Sequence, residues 1–155
     1  NCLFQKSYNN GRPTYFRLSE RVNSKSQKVK HGKANVIKNG RLATIIAVGP
    51  ILDKVLEASK NLDVTILYYT TLAPFDSETL KKNCQSNKIL LCEPYYFGAL
   101  TTDIISALSP RPARIEFAGV PHIFLTNYGT VEQQDKFTKL ITENIYKKIK
   151  KIINE

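Results

Sequence analysis

Hydrophobic residues form short continuous runs along the chain, and between the runs they recur with helical spacing. The runs lie at residues 34–37, 42–48, 64–69, 88–92 and 113–118. Continuous apolar runs of this length are typical of strands buried on both faces, as in parallel sheets. Between them, apolar residues recur every three or four positions, which is the period of an amphipathic helix. The alternation predicts an α/β fold, a three-layer Rossmann-like sandwich around a mostly parallel sheet.

The link between the first two runs predicts one exception to the parallel arrangement. Asn39-Gly40 separates these runs, and this dipeptide accepts the positive φ that a two-residue hairpin requires. We therefore predict that the first strand pairs with the second strand and forms an antiparallel edge of the sheet.

Capping residues mark two of the predicted helices. Asp76 precedes a helical segment and has the side chain of an N-cap. Thr130 and Gln133 have the spacing of a capping box. The apolar stripe that follows continues at helical spacing to Ile152, so we predict one long C-terminal helix.

The chain divides into three parts by composition. Residues 1–22 hold a short amphipathic piece, a turn and a β-rich run at residues 14–18, too little to fold alone. Residues 23–30 are polar and rich in Ser and Lys, which is typical of a linker. We predict the tail of a preceding domain at 1–22, a linker at 23–30 and one domain at 31–155. Because the chain starts at Asn1 and holds no methionine, we expect an interior cut point there.

Cysteine content and hydropathy indicate a compartment. Three cysteines without CxxC spacing do not form a disulfide framework, and they favour a reducing, cytoplasmic environment. The longest apolar runs are far shorter than the roughly 18 residues that a membrane span needs. We expect no membrane partner.

The net charge of +10 raises the alternative of a basic nucleic-acid-binding module. Lysine outnumbers arginine, and the lysine clusters near residues 25–33 and 147–151 contain none of the interleaved aromatic residues that stack on bases. We therefore favour a solvated, lysine-rich surface over nucleic-acid binding.

The residues with reactive side chains predict no catalytic site within the chain. No glycine-rich phosphate motif follows a predicted strand, and His31 and His122 have no neighbours at metal-ligand spacing. Cys84 and Cys92 lie in predicted buried elements, where thiols are inert. Glu93 ends a buried strand, and we predict that its carboxylate accepts hydrogen bonds from nearby backbone.

Six short motifs lie in order along the chain: GKA at 32–34, ATIIAVGP at 43–50, VLEASKNL at 55–62, TLAPFD at 71–76, ILLCE at 89–93 and YGT at 128–130. Together they resemble the C-terminal domain of the transketolase family, which includes deoxyxylulose-phosphate synthases and the β subunits of 2-oxoacid dehydrogenases. The segment PTYFRLS at 13–19 also resembles the last strand of the family's pyrimidine-binding domain.

This resemblance implies that the chain lacks the catalytic machinery. In the family, thiamine diphosphate and Mg²⁺ are bound by the domains that precede this one, and the C-terminal domain supports assembly. We therefore expect no cofactor in the chain itself, and thiamine diphosphate and Mg²⁺ in the intact enzyme. The expected partners are the cofactor-binding domains or subunit of the same enzyme, in a homodimer.

The resemblance also implies two candidate residues. In transketolases an arginine directly after the "LS" of the middle-domain strand grips the substrate phosphate. Here Glu20 occupies that position and Arg21 follows it, a one-residue shift that would reverse the facing along a strand. Despite this shift, the resemblance makes Arg21 the candidate phosphate clamp. Arg17 is the candidate for an interdomain ion pair. The rival activities within the family are those of a 2-oxoacid dehydrogenase β subunit and a deoxyxylulose-phosphate synthase.

Overall fold

A five-stranded sheet with helices on both faces forms the body of the protein. The computed structural model describes residues 2–126 and 128–155. The strands lie in the order β1-β3-β2-β4-β5 across the sheet. They are β1 (Asn35–Lys38), β2 (Thr44–Val48), β3 (Thr65–Tyr69), β4 (Lys88–Tyr96) and β5 (Arg114–Val120).

Two helix layers cover the sheet. Helices α2 and α6 pack together on one face, and α3 and α4 pack together on the other. This confirms the three-layer α/β sandwich predicted from the hydrophobic runs. Within the described residues, no helix combines the length and apolar character that crossing a bilayer requires. The helices are α1 (Cys2–Ser7), α2 (Leu52–Ala58), α3 (Ser77–Asn83), α4 (Thr101–Leu108), α5 (Val131–Phe137) and α6 (Thr142–Asn154).

The sheet is mostly parallel, with one antiparallel edge strand, as predicted. Strand β2 is parallel to β3 and β4, and β4 is parallel to β5. The edge strand β1 is antiparallel, but its neighbour is β3. The predicted hairpin between β1 and β2 is therefore wrong.

Contacts of Gly40 with β3 replace the hairpin. A Cβ on Gly40 would lie 2.3 Å from the backbone nitrogen of Val64. The Thr65 hydroxyl donates to the Gly40 carbonyl at 2.7 Å and accepts from the Gly40 N–H at 3.0 Å. Gly40 therefore allows its backbone to approach the backbone of Asp63 and Val64 closely. It does not form a two-residue turn, because β3 lies between β1 and β2 in the sheet.

The predicted C-terminal helix is divided into α5 and α6. The capping box of Thr130 and Gln133 is present and begins α5. The helix ends before Lys139, whose φ of 59° lies in the left-handed region, and Leu140 turns inward and is buried. The apolar spacing continues across this break, so periodicity alone indicated a single helix.

The segment before β1 lies along the domain. Residues 14–18 are not part of any strand among the described residues, because no neighbouring strand of this chain supplies hydrogen-bond partners. Further on, Val29 packs against the core formed with α2 and α6, and the Asn35 side chain donates to the Lys28 carbonyl at 2.7 Å. We call residues 19–30 the strap.

Candidate functional site

A crevice lies at the carboxyl edge of the sheet, where ligands bind in open parallel sheets. The strand order reverses between β2 and β4, and the crevice opens beside the residues that follow or end these strands. Its volume is about 210 Å³. Pro50 and Pro94 line it from β2 and β4, Arg21 lines it from the strap, and Asp135 lines it from α5.

A cluster of three charged side chains closes one side of the crevice. Arg21 and Lys54 both donate to Oδ2 of Asp135, and Lys54 also donates to the Leu140 carbonyl at 2.7 Å. The side chains of Arg21, Lys54 and Asp135 are 21%, 20% and 13% exposed. Because they are mostly buried, solvent and salt screen their attraction less than at the surface. The cluster fastens the strap to α2 and α5.

Further hydrogen bonds fasten the strap above β2 and β3. The Asn23 side chain donates to the Gly49 carbonyl at 3.2 Å and to the Tyr68 hydroxyl oxygen at 3.1 Å. The Ser24 N–H donates to the Asp53 carboxylate at 2.5 Å. The chain's own backbone and side chains therefore occupy the edge where a ligand would enter.

Glu93 is engaged in the loop after β4. Its side chain is fully buried and accepts hydrogen bonds from the N–H groups of Gly98 at 2.5 Å and Leu100 at 3.3 Å. Burial raises the pKa of Glu93, and these hydrogen bonds only partly oppose the rise. The predicted hydrogen bonds to nearby backbone are confirmed.

The other reactive side chains are also in structural positions. Cys92 is fully buried in β4, and burial raises the pKa of its thiol far above the usual range, so the thiol stays protonated. Cys84 is buried just after α3. A ring nitrogen of His122 lies 2.9 Å from the Phe97 carbonyl, and His31 is exposed in the turn before β1.

The carboxyl edge does not fit thiamine diphosphate. Pro50 lies in the first turn of the helical segment after β2, which begins at Gly49, and has no N–H group for a phosphate. The two cations beside the crevice, Arg21 and Lys54, are already engaged by the Asp135 carboxylate. Among residues 2–126 and 128–155, no three His, Cys, Asp or Glu side chains are arranged to hold a metal such as Mg²⁺.

The two arginines singled out in the sequence lie near this edge in different settings. Arg21 is paired with Asp135. The guanidinium carbon of Arg17 lies 5.0 Å from the centroid of the Tyr95 ring, a distance suited to a cation–π contact. Sequence reasoning missed Asp135 as a partner, because 114 positions separate it from Arg21 and nothing in its local pattern indicates the contact.

Comparisons with known proteins agree with this architecture. The family described as "Transketolase, C-terminal domain" matches residues 32–145. The chain is 38% identical over 125 residues to an "Uncharacterized 33.6 kDa protein in fasciation locus" of Rhodococcoides fascians, covering 78% of this chain and 40% of that protein. It is 28% identical over 97 residues to an apulose-4-phosphate transketolase subunit of Phocaeicola vulgatus, covering 58% and 31%.

A solved structure shares the fold. It is titled "Split gene transketolase, inactive beta4 tetramer" and matches with a TM-score of 0.73 at 23% identity. The match covers 86% of this chain and 46% of that one. The chain thus spans less than half the length of each of these three proteins.

Proposed function

Because the chain belongs to the transketolase C-terminal domain family, we propose that it is the non-catalytic assembly domain of a thiamine-diphosphate-dependent transferase resembling transketolase. In the intact enzyme, the reaction cleaves a carbon–carbon bond next to a carbonyl and transfers a ketol or acyl unit. This chain holds no residue with a catalytic role in that reaction.

One observation supports the proposal: the strap is fastened across the carboxyl edge and leaves beside it a crevice of only about 210 Å³. Arg21 is held by Asp135, and Asn23 is held by the Gly49 carbonyl. The same contacts fix the direction in which residues 1–18 leave the domain. A carboxyl edge that is covered by the chain's own strap favours the role of a scaffold that orients neighbouring domains. It does not favour the role of a cofactor site.

The proposed enzyme has its cofactor in other domains. Thiamine diphosphate and Mg²⁺ are bound by domains that precede this one or lie on a separate polypeptide, and the whole forms a homodimer. A relative named as a transketolase subunit and a structural neighbour named as a split-gene enzyme support a separately encoded partner. Residues 1–22 then belong to the preceding domain, and residues 23–30 join it to the domain at 31–155.

We assign Arg21 primarily to fastening the strap and Arg17 to an interdomain contact. Arg21 and Lys54 share a single carboxylate, so their cluster has a net positive charge that is compatible with a substrate phosphate nearby. Replacing Arg21 separates the two roles. Loss of a phosphate clamp raises KM for phosphorylated substrates alone, whereas loss of an anchor weakens assembly and lowers turnover with every substrate.

The test is an assay of the intact protein with and without residues 31–155. We expect turnover that requires added thiamine diphosphate and Mg²⁺, and loss of both the homodimer and turnover on truncation. The 155-residue chain alone should show no turnover. Activity that is indifferent to removal of thiamine diphosphate would contradict the proposal.

The same assay separates the activities within the family. Transfer between sugar phosphates supports a transketolase-like enzyme. Turnover of 2-oxoacids with an acyl acceptor supports a dehydrogenase β subunit, and condensation of pyruvate with glyceraldehyde 3-phosphate supports a deoxyxylulose-phosphate synthase.

A further inference from the structure

Two Asn-Gly dipeptides occur in the chain, at Asn10-Gly11 and at Asn39-Gly40. In such a dipeptide the backbone nitrogen of the glycine can attack the carbonyl carbon of the Asn side chain, because glycine has no Cβ to hinder the approach. The reaction converts the asparagine to aspartate or isoaspartate without an enzyme. The structure places the two dipeptides in opposite surroundings, so the fold decides which of them reacts.

Asn10-Gly11 lies in an exposed turn after α1. Both residues are exposed, and a Cβ built on Gly11 would meet no atom within 4 Å. Within residues 2–126 and 128–155, the Gly11 N–H donates to no protein group. The attacking nitrogen is therefore neither bonded nor enclosed.

The hydrogen bonds of Asn10 favour the attack. Its Oδ1 accepts from the Arg12 N–H at 2.9 Å, which is the bond of an Asx-turn. This bond draws electron density away from the side-chain carbonyl carbon, the atom that the nitrogen attacks. The Asn10 Nδ2 donates to the Thr14 hydroxyl at 3.1 Å, and because this bond is exposed, water replaces it at little cost when the turn rearranges.

Asn39-Gly40 is held in place by β3. The Gly40 N–H donates to the Thr65 hydroxyl at 3.0 Å, and the Gly40 carbonyl accepts from the same hydroxyl at 2.7 Å. Gly40 is buried, and a Cβ there would lie 2.3 Å from the backbone nitrogen of Val64. The Gly40 nitrogen can therefore reach the Asn39 side chain only after this loop separates from β3.

We propose that Asn10 is a site of spontaneous deamidation in this protein and that β3 protects Asn39. The Gly11 nitrogen forms a bond to Cγ of Asn10, and the bond from Cγ to Nδ2 breaks. The side-chain nitrogen leaves as ammonia with the proton of the Gly11 N–H, and a cyclic succinimide remains. One water molecule then opens the ring at either carbonyl and gives aspartate or isoaspartate.

The product changes the turn and the charge of the chain. A carboxylate at position 10 cannot donate to the Thr14 hydroxyl, and it lowers the net charge of +10 by one. In isoaspartate the main chain also runs through the former side-chain carbonyl carbon, so the turn becomes one atom longer. The inference does not depend on the proposed function, because it rests on the surroundings of the two dipeptides alone.

Peptide mapping of the aged 155-residue chain tests the proposal. The folded chain is kept at neutral pH in heavy-oxygen water, so that only deamidation during ageing incorporates the label, and it is then digested. Fragment-ion spectra distinguish Asn10 from the preceding Asn9. We expect labelled aspartate and isoaspartate to form at position 10 at least about tenfold faster than at position 39, which reacts only through local opening. Equal rates at the two positions, or a higher rate at position 39, would overturn the proposal.

The chain unfolded in concentrated urea provides the reference rates. Without the fold, both Asn-Gly dipeptides should react at similar rates. On folding, we expect the rate at Asn10 to change by less than about threefold and the rate at Asn39 to fall by at least about tenfold. A rate at Asn39 that is the same in the folded and unfolded chain would show that β3 gives no protection.

Two buried threonines separate the Gly40 contact from general stability. Thr65→Val removes the hydroxyl that binds the Gly40 N–H and should raise the rate at Asn39, with no change at Asn10. The matched control is Thr44→Val, because Thr44 is equally buried on β2 whereas Gly40 is bonded to Thr65. Equal acceleration at Asn39 in both variants would contradict protection by the Thr65 contact. Gly11→Ala should slow the reaction at Asn10, and an unchanged rate there would contradict the assigned nucleophile.

Discussion

Glu93 is a buried carboxylate whose role is to hold a loop. It accepts hydrogen bonds from the N–H groups of Gly98 and Leu100, and burial raises its pKa. A carboxyl group whose pKa is higher in the folded than in the unfolded protein binds its proton more tightly when folded. Its contribution to stability is therefore complete below the unfolded pKa, near 4.5, and is lost as the pH rises through the folded pKa.

We predict that Glu93→Gln removes this part of the pH dependence. The unmodified chain should lose stability relative to the variant between about pH 4.5 and neutral pH. Over this range the buried Glu93 carboxyl group is driven to lose its proton, whereas the glutamine of the variant does not titrate. Urea unfolding of both proteins across this range measures the difference. A stability difference that stays constant with pH would contradict the assignment.

The Arg21 cluster shows the limit of prediction at the level of residues. The roles of Glu93, Asp76 and the buried thiols follow from local pattern, because each depends on its own strand or helix. The pairing of Arg21 with Asp135 depends on where α5 lies after the chain has folded. No periodicity encodes that contact, and the left-handed Lys139 that positions α5 has no distinctive sequence.

At the scale of elements, Asp76 joins α3 to the strand β1. Its carboxylate accepts from the Thr79 N–H at 3.3 Å and the Thr79 hydroxyl at 2.6 Å, as the predicted N-cap. It also accepts from the Ala34 N–H at 3.0 Å and pairs with Lys33 at 3.3 Å. Burial raises the pKa of Asp76, but these hydrogen bonds outweigh burial and the net pKa is lowered.

We predict that Asp76→Ala lowers the free energy of unfolding by about 2 kcal/mol, since it removes a cap and leaves the partly buried Ala34 N–H group without its acceptor. Asp76→Asn keeps a capping oxygen and should cost less. Because the pKa is lowered, this contribution is present above the usual value of 3.8 and is lost as the pH falls through the folded pKa. Chemical denaturation at neutral and acidic pH measures it, and equal stability of all three proteins would refute the prediction.

Gly40 provides the second prediction at this scale. Because a Cβ there would lie 2.3 Å from the Val64 nitrogen, Gly40→Ala forces β3 away from the loop and should cost about 3 kcal/mol. Asn39→Ala is the matched control and should cost less than about 1 kcal/mol. Thermal unfolding compares the two, and similar losses would show that the close approach is unimportant.

The strands and most of the caps followed from the sequence, whereas the order of β1 in the sheet did not. Asn39-Gly40 has the chemistry of a tight turn, and local chemistry alone favours a hairpin. The parallel pairing of β2 with β3 depends on contacts between segments about twenty residues apart. Such tertiary contacts override the local preference of the turn.

In the whole molecule, the strap is the segment that the proposed function makes the link between this domain and the rest of the enzyme. Its anchors are Arg21 on Asp135, Asn23 on the Gly49 carbonyl and the backbone of Ser24 on Asp53. Together they cover the carboxyl ends of the central strands. In the proposed enzyme, the sheet and its helices serve as a platform, and the strap is the segment by which this platform is attached.

We predict that Asp135→Ala loosens the strap without unfolding the domain. Arg21 loses its ion-pair partner, so trypsin should cleave after Arg21 and Lys25 at least about fivefold faster, as expected for local opening. Asp63→Ala, which removes the exposed pair with Arg41, is the control and should leave these rates unchanged. Cleavage sites and rates are read by mass spectrometry, and unchanged cleavage at Arg21 would show that the cluster does not hold the strap.

The strap is fastened across the carboxyl edge of this chain, and we therefore expect the chain to bind no thiamine diphosphate. Isothermal titration calorimetry of the 155-residue chain with thiamine diphosphate and Mg²⁺ tests it most directly, with the intact enzyme as the positive control. We expect saturable heat for the intact enzyme and only heat of dilution for the chain. Stoichiometric binding to the chain alone, with a Kd of about 1 μM or tighter, would contradict it.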